Sequence, residues 1–213
     1  MMMFTDRREA GERLVTELLR YQVIKSTSQR EGLVLGIPRG GVVTAQAVDK
    51  GLGWKLSVVV TKKVGAPMQE ELAIGAMGPD GEVVWNERVL HSLDLTEEEK
   101  ERQVVVAEEK VRAYREKFLE FEVAVIHKVV IIVDDGMATG ATMLAAVRWA
   151  KKQKAKRVIA AVPVCAVDTA SEVEKEADQF ACLERSEYLG SVGQFYRNFE
   201  QVSDEEVVKL LKN

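Results

Sequence analysis

Val129-Val130-Ile131-Ile132-Val133 runs without a break into Asp134-Asp135-Gly136-Met137-Ala138-Thr139-Gly140-Ala141-Thr142, and this stretch decides the fold. Its first five residues are all apolar and β-branched and show no alternation, which marks a strand buried on both faces. After the small-residue loop, a helical pattern runs from Thr142 to about Lys154, and a second apolar run covers Val158 to Val162. Strand, helix and strand in that order make a βαβ unit.

Upstream, Leu33-Val34-Leu35-Gly36-Ile37 reads as another buried strand, broken by Pro38-Arg39-Gly40-Gly41, with a helix from Val42 to Lys50 and a strand from Leu56 to Val60. Two such units imply an α/β fold: a mostly parallel sheet flanked by helices. Ala10, Leu14, Leu18 and Tyr21 place an amphipathic helix over Asp6 to Tyr21. Gly65-Ala66-Pro67 is expected to open a loop, and Pro79-Asp80-Gly81 to turn between the runs 72–77 and 82–85, as a mobile β-hairpin. Thr96 with Glu99 has the form of a capping box for a long surface helix to Phe118. A short helix near 171–177, a run from Phe180 to Leu183, an aromatic loop and a helix capped by Ser203 with Glu206 complete a single domain over 1–213.

The composition, 46% apolar and 30% charged over 213 residues, is that of an ordinary soluble globule with a packed core. A net charge of −4 argues against a nucleic-acid binder, which needs a basic footprint. No run reaches the roughly 18 apolar residues of a membrane span and residues 1–8 lack a secretory apolar region, so a cytoplasmic protein is expected. Cys165 and Cys182 have no metal-ligand or pairing pattern and are expected as reduced, buried hydrophobes; His91 and His127 lack partner motifs.

In open parallel sheets ligands bind beyond the carboxyl ends of the strands, so the chemistry is expected in the loops after Ile37, Val60, Val133 and Val162. Asp134 and Asp135 can accept hydrogen bonds from vicinal hydroxyls and attract a divalent cation. The loop Gly136, Met137, Ala138, Thr139, Gly140, Ala141, Thr142 runs into a helix, so its N–H groups, the helix terminus and two hydroxyls can cradle a phosphate. The blander reading, two acids that only cap a turn, does not account for the loop that follows. Arg39, a permanently charged fork beside Gly40, suits a second anion such as pyrophosphate. Lys62 or Lys63 can reach the same anion, and strand alternation lets only one of them point there.

The string VVIIVDDGMATGATM resembles the 5-phosphoribosyl-1-pyrophosphate (PRPP) binding motif of type I phosphoribosyltransferases, and the resemblance covers about residues 30–185. Pro38-Arg39-Gly40-Gly41 resembles that family's pyrophosphate loop, Lys62 or Lys63 its basic residue after the next strand, and the region from about 62 to 89 its mobile flap. The resemblance implies magnesium-dependent transfer of ribose 5-phosphate from PRPP to an acceptor, expected to be a nucleobase, with release of pyrophosphate. It assigns the ribose hydroxyls to Asp134 and Asp135, the 5′-phosphate to the loop up to Thr142, and pyrophosphate to Arg39, Gly40 and a neighbouring lysine. Mg2+ would sit mainly on PRPP oxygens, with Asp134 and Asp135 contributing indirectly. Terminal segments would form a hood or packing helices, and the resemblance allows a homodimer. Members acting on 6-oxopurines carry an acid at the place of Ala138, so a proton-transfer group would have to come from elsewhere, with Glu70 and Glu71 as candidates. Phe195, Tyr196 and Phe199 could stack on an acceptor or anchor the tail. The alternative is a non-catalytic PRPP sensor on the same fold.

Overall fold

Five buried residues, Val129–Val133, form β6, the middle strand of a five-stranded parallel sheet. Its neighbours are β1 (Gly32–Gly36) and β7 (Arg157–Ala166), with β2 (Lys55–Val58) and β8 (Gln179–Ser186) at the edges, so the strand order is β2-β1-β6-β7-β8. Register places Val34 beside Ile131 and Ile131 beside Ile159. The chain described by this computed structural model comprises residues 3–93 and 95–212, with all their side chains except those of Glu71 and Arg88.

Alternate side chains of β6 enter different cores, which is why its sequence shows no polar alternation. Ile131 and Val133 pack with Leu14 and Leu18 of α1 (Arg7–Leu18) and Ala45 and Val48 of α3 (Gly40–Leu52). Val130 and Ile132 pack with Leu144 and Val147 of α6 (Ala141–Lys152) and Val173 of α7 (Val167–Glu176). The strand order reverses direction between β1 and β6, so the loops that follow these two strands flank the crevice where open α/β sheets bind ligands.

The segment expected as a hairpin is a second, antiparallel sheet of β3 (Lys62–Ala66), β4 (Gln69–Met77) and β5 (Val83–Trp85). Gly65 and Ala66, expected in a loop, belong to β3; the turn falls at Pro67-Met68, with Met68 at φ 64°. Backbone pairing with β4 makes this a strand despite its two lysines and a glycine, and register shifts at Gly65 absorb the mismatch. The sheet packs on α5 (Glu97–Glu116), where Val64, Ile74 and Met77 meet Ala107 and Val111. The Thr96–Glu99 capping box starts α5. Two short helices, α2 (Gln22–Ser26) and α4 (Glu87–Leu93), have no counterpart in the sequence reading.

The two ends of the chain are zipped together. Phe4 N–H donates to Phe195 O at 2.8 Å, Arg197 N–H to Phe4 O at 2.8 Å and Asn198 N–H to Thr5 O at 2.9 Å. The tail then reaches α8 (Asp204–Lys212), whose start is capped by Ser203 and which docks on α3, where Gln46 Nε2 donates to Leu210 O. Among the described residues no helix is long and apolar enough to cross a membrane. Cys165 is buried as expected, but Cys182 is only half-buried, and the two free thiols, on neighbouring strands, stand 3.1 Å apart.

Candidate functional site

Asp134 leaves the end of β6 and folds back on its own turn, its Oδ1 accepting the Asp135 N–H at 2.8 Å. Burial, and then the charge of Asp135 beside it, push the Asp134 carboxyl well above the usual range. The turn-capping role weighed against a ligand role is thus present for Asp134, though it occupies one carboxylate oxygen.

Asp135 is engaged by a residue the sequence reading did not name. Arg7 Nε lies 2.7 Å from its Oδ2, the Arg7 Nη1 donates to Glu200 O at 2.8 Å, and the guanidinium stacks 3.8 Å from the Phe199 ring centroid. Tyr196 OH donates to the Asp135 carbonyl at 2.5 Å. Phe195 and Tyr196 are buried with Phe4, so these two anchor the tail and cannot stack on an acceptor; Phe199 stays partly exposed beneath Arg7. No local pattern reveals this arrangement, because Arg7 and Asp135 are 128 residues apart.

The following loop divides in two. Gly136 packs on Val192, and Met137 is buried with its N–H on Val164 O and its carbonyl accepting Ala166 N–H, so these residues anchor the loop to β7. The Met137 amide, expected in the phosphate cradle, is therefore already used. From Ala138 onward the character changes. Ala138 and Thr139 are exposed, and among the described residues the N–H groups of Ala138, Thr139 and Gly140 donate to no protein acceptor. Gly140, at φ 70°, caps α6 without a side-chain bond, which leaves the first amides of that helix, from Ala141 and Thr142, unpaired. Thr169 Oγ1 donates to Ala138 O at 2.7 Å and holds the rim. Free amides at a helix start and an exposed threonine hydroxyl suit a phosphate.

The loop after β1 lies against these acids. A Cβ added at Gly40 would stand 1.9 Å from Asp135 Oδ2, so only glycine permits the approach. Ile37 N–H donates to Val133 O at 2.9 Å, and the Pro38–Arg39 peptide is cis. Arg39 stands at the start of α3, half-exposed, with Nη1 4.0 Å from Asp204 Oδ1. Lys62 Nζ sits 3.3 Å from the Tyr114 ring centroid, whereas Lys63 is exposed on the other face of β3. Burial, helped by the charge of Arg39 and opposed by Asp204, brings the Lys62 ammonium down to about 8. Asp204 accepts from Tyr114 OH at 2.9 Å and from Lys117 Nζ. Tyr114, Lys117 and Asp204 were not singled out in the sequence; a lysine and a tyrosine on a charged surface helix carry no signal of their own.

Glu70, a proton-transfer candidate, is exposed and paired with Lys110 at 3.2 Å. The side chain of Glu71 lies outside the described residues. His91 and His127 are both exposed. A groove of 530 Å³ between the β4–β5 turn and α5 is lined by Met77, Pro79, Asp80, Arg112, Arg115 and Glu116, with Arg115 paired to Glu122 and Asp80 to Lys152.

Residues 6–200 match the family model described as the phosphoribosyl transferase domain. A Mycobacterium tuberculosis protein whose name gives phosphoribosyl transfer as its provisional activity is 38% identical over 213 residues, which are 99% of this chain and 47% of that protein. The chain thus spans about half the length of the curated relatives it matches. The crystal structure of the protein TT1426 from Thermus thermophilus aligns with a TM-score of 0.79 at 34% identity, covering 99% of this chain and 98% of that one. A hypoxanthine phosphoribosyl transferase from Trypanosoma cruzi shares the fold, with a TM-score of 0.50 at 10% identity over 87% of this chain and 77% of that one.

Proposed function

The chain belongs to the phosphoribosyl transferase domain family, and from that premise we propose that it transfers ribose 5-phosphate from PRPP to an acceptor, a nucleobase, releasing pyrophosphate. One observation carries the reading: the acid pair with its free-amide loop and the Arg39–Lys62 cations lie on either side of one switch point, joined by the Gly40–Asp135 contact. A ligand with a phosphate at one end, a diol in the middle and a pyrophosphate at the other matches that order of groups.

In this reading the N–H groups from Ala138 to Thr142, with the Thr139 and Thr142 hydroxyls, hold the 5′-phosphate. Asp134 and Asp135 accept the ribose 2′ and 3′ hydroxyls; Asp135 keeps Arg7 on Oδ2 and offers its other oxygen. Arg39 and Lys62 stabilise the departing pyrophosphate, where charge grows as the anomeric bond breaks. The carbon then carries oxocarbenium character, so holding the acceptor in line and excluding water matter more than proton transfer. The exposed Ala138 methyl cannot exchange a proton.

Mg2+ fits as an ion brought by substrate. Among the described residues no three acidic, histidine or cysteine side chains stand together to hold a metal, and Mg2+ commonly binds through one or two carboxylates, water and substrate phosphates. Asp134 and Asp135 are the carboxylates within reach, and the ion would neutralise charge on pyrophosphate.

The decisive measurement is pyrophosphate release from Mg-PRPP in the presence of a panel of free bases, with Arg39→Ala alongside. Release with one base and its loss in the variant are expected. PRPP binding without release from any base would make the protein a sensor, and absence of binding would sink the reading altogether.

Lys62 makes the pyrophosphate end pH-dependent. An anion beside it favours the ammonium form, so binding takes up a proton where the free lysine has lost one. Relative to Lys62→Met, whose profile carries the titration of pyrophosphate alone, affinity should be level below pH 8 and fall as pH rises beyond it. Titration calorimetry in buffers of different ionisation enthalpy, run about half a unit above that value, should show proton uptake. A pH profile and proton uptake equal to those of Lys62→Met would remove Lys62 from the site.

A further inference from the structure

Building on the assignment of Arg39 and Lys62 to pyrophosphate, we propose that Asp204 is an internal counter-ion seated in the pyrophosphate subsite, and that incoming pyrophosphate displaces it and lifts the first turn of α8. The site is thereby gated by charge. Among the described residues, three cations, Arg39, Lys62 and Lys117, and the Tyr114 phenol face Asp204, and Glu205 is a second carboxylate acting on Lys117. Lys110, the next cation, is already spent on Glu70.

The cluster is therefore under-neutralised by the protein itself. Arg39 stands 4.0 Å from Asp204, a charge contact too long for a hydrogen bond, so its donor fork is unsatisfied by the carboxylate it faces. A pyrophosphate brings more oxygens and more charge than Asp204 and can take both ends of that fork. Lys117 and, less strongly, the Tyr114 hydroxyl hold the Asp204 carboxyl below its usual range, so it is an anion when substrate arrives and must be repelled or moved.

The helix is built to yield at that end. Asp204 opens α8 and is itself held through polar contacts, between two buried anchors, Val202 just before it and Val207 one turn later, and the Gln46 bond to Leu210 O fixes the body of the helix. The stretch between the two anchors can lift while both stay docked. Tyr114 of α5 and Lys117 just after it, released from Asp204, then become additional pyrophosphate donors.

Titration calorimetry with inorganic pyrophosphate on the full chain tests this, comparing the wild type with Asp204→Asn, which keeps the shape and the acceptor for Tyr114 but removes the charge. The variant should bind about tenfold tighter, the direction expected when a competing charge leaves an anion site. Backbone hydrogen exchange in residues 203–208 of the wild type should speed up with pyrophosphate. Equal or weaker binding by the variant overturns the gate, as does unchanged or slowed exchange. If a melting curve shows the variant unfolded, the wild-type exchange result decides alone. Should neither protein bind pyrophosphate, the gate is lost, and PRPP binding through the Asp134–Thr142 cup, measured separately, tells whether the broader reading goes with it.

Discussion

Gly140→Val should cost about 4 kcal/mol of stability and abolish phosphate binding. Gly140 sits at φ 70°, a region a β-branched residue enters only at a cost of roughly 1–3 kcal/mol. An added Cβ would also stand 2.3 Å from Thr169 Cγ2, and forced overpacking adds a further ~1–3 kcal/mol. Thr169 would have to move, losing its bond to Ala138 O and with it the rim of the cradle. In a chain of this length the melting temperature should fall by roughly 10 °C. Gly140→Ala should lie between, since its single carbon already meets the clash. A Gly140→Val protein that melts within two or three degrees of the parent, roughly the shift of a single kcal/mol, would mean that the loop is not shaped as described.

Asp135→Asn should be the most damaging conservative change for ligand binding. The ribose loses a charged acceptor, and hydrogen bonds to charged groups contribute roughly 1.5–3 kcal/mol, so PRPP affinity should drop about 10- to 100-fold. The same change breaks the half-buried pair with Arg7, and a melting temperature about 5 °C lower is expected. A third consequence is electrostatic. The raised Asp134 carboxyl binds a proton more tightly when folded than when unfolded, so the stability it contributes is present at low pH and is lost as pH rises through its folded value. Removing the Asp135 charge removes the second-largest cause of that rise, so the variant should lose less stability as pH rises from about 4. Calorimetry with PRPP and melting curves across that pH range measure all three; unchanged PRPP affinity would show that Asp135 serves only Arg7.

The residues legible in advance are those whose surroundings are dictated by their own neighbours. β6 occupies the five positions expected of it, since an unbroken β-branched run has no polar face to expose. The capping box before α5 and the Ser203 cap before α8 are likewise local, each satisfied within one helical turn. α2, α4 and β3 were not legible. α2 has no side-chain cap, and β3 is a strand because β4 pairs with it. The cradle was only partly readable: a run of small residues does not say which amides are consumed by the chain, and the Met137 amide proves to be taken by β7.

By itself the sequence determined the parallel sheet, the place of the switch-point loops and the acids at the end of β6, since buried strands and caps depend on contacts a few residues away. Only the tertiary structure decided which charges meet. Arg7 reaches Asp135 and Asp204 reaches Arg39 because the two chain ends are zipped across the carboxyl end of the sheet, bringing distant segments within a few ångströms. Charges interact through distance in space, and that distance is set by how the helices and strands pack, not by their order along the chain.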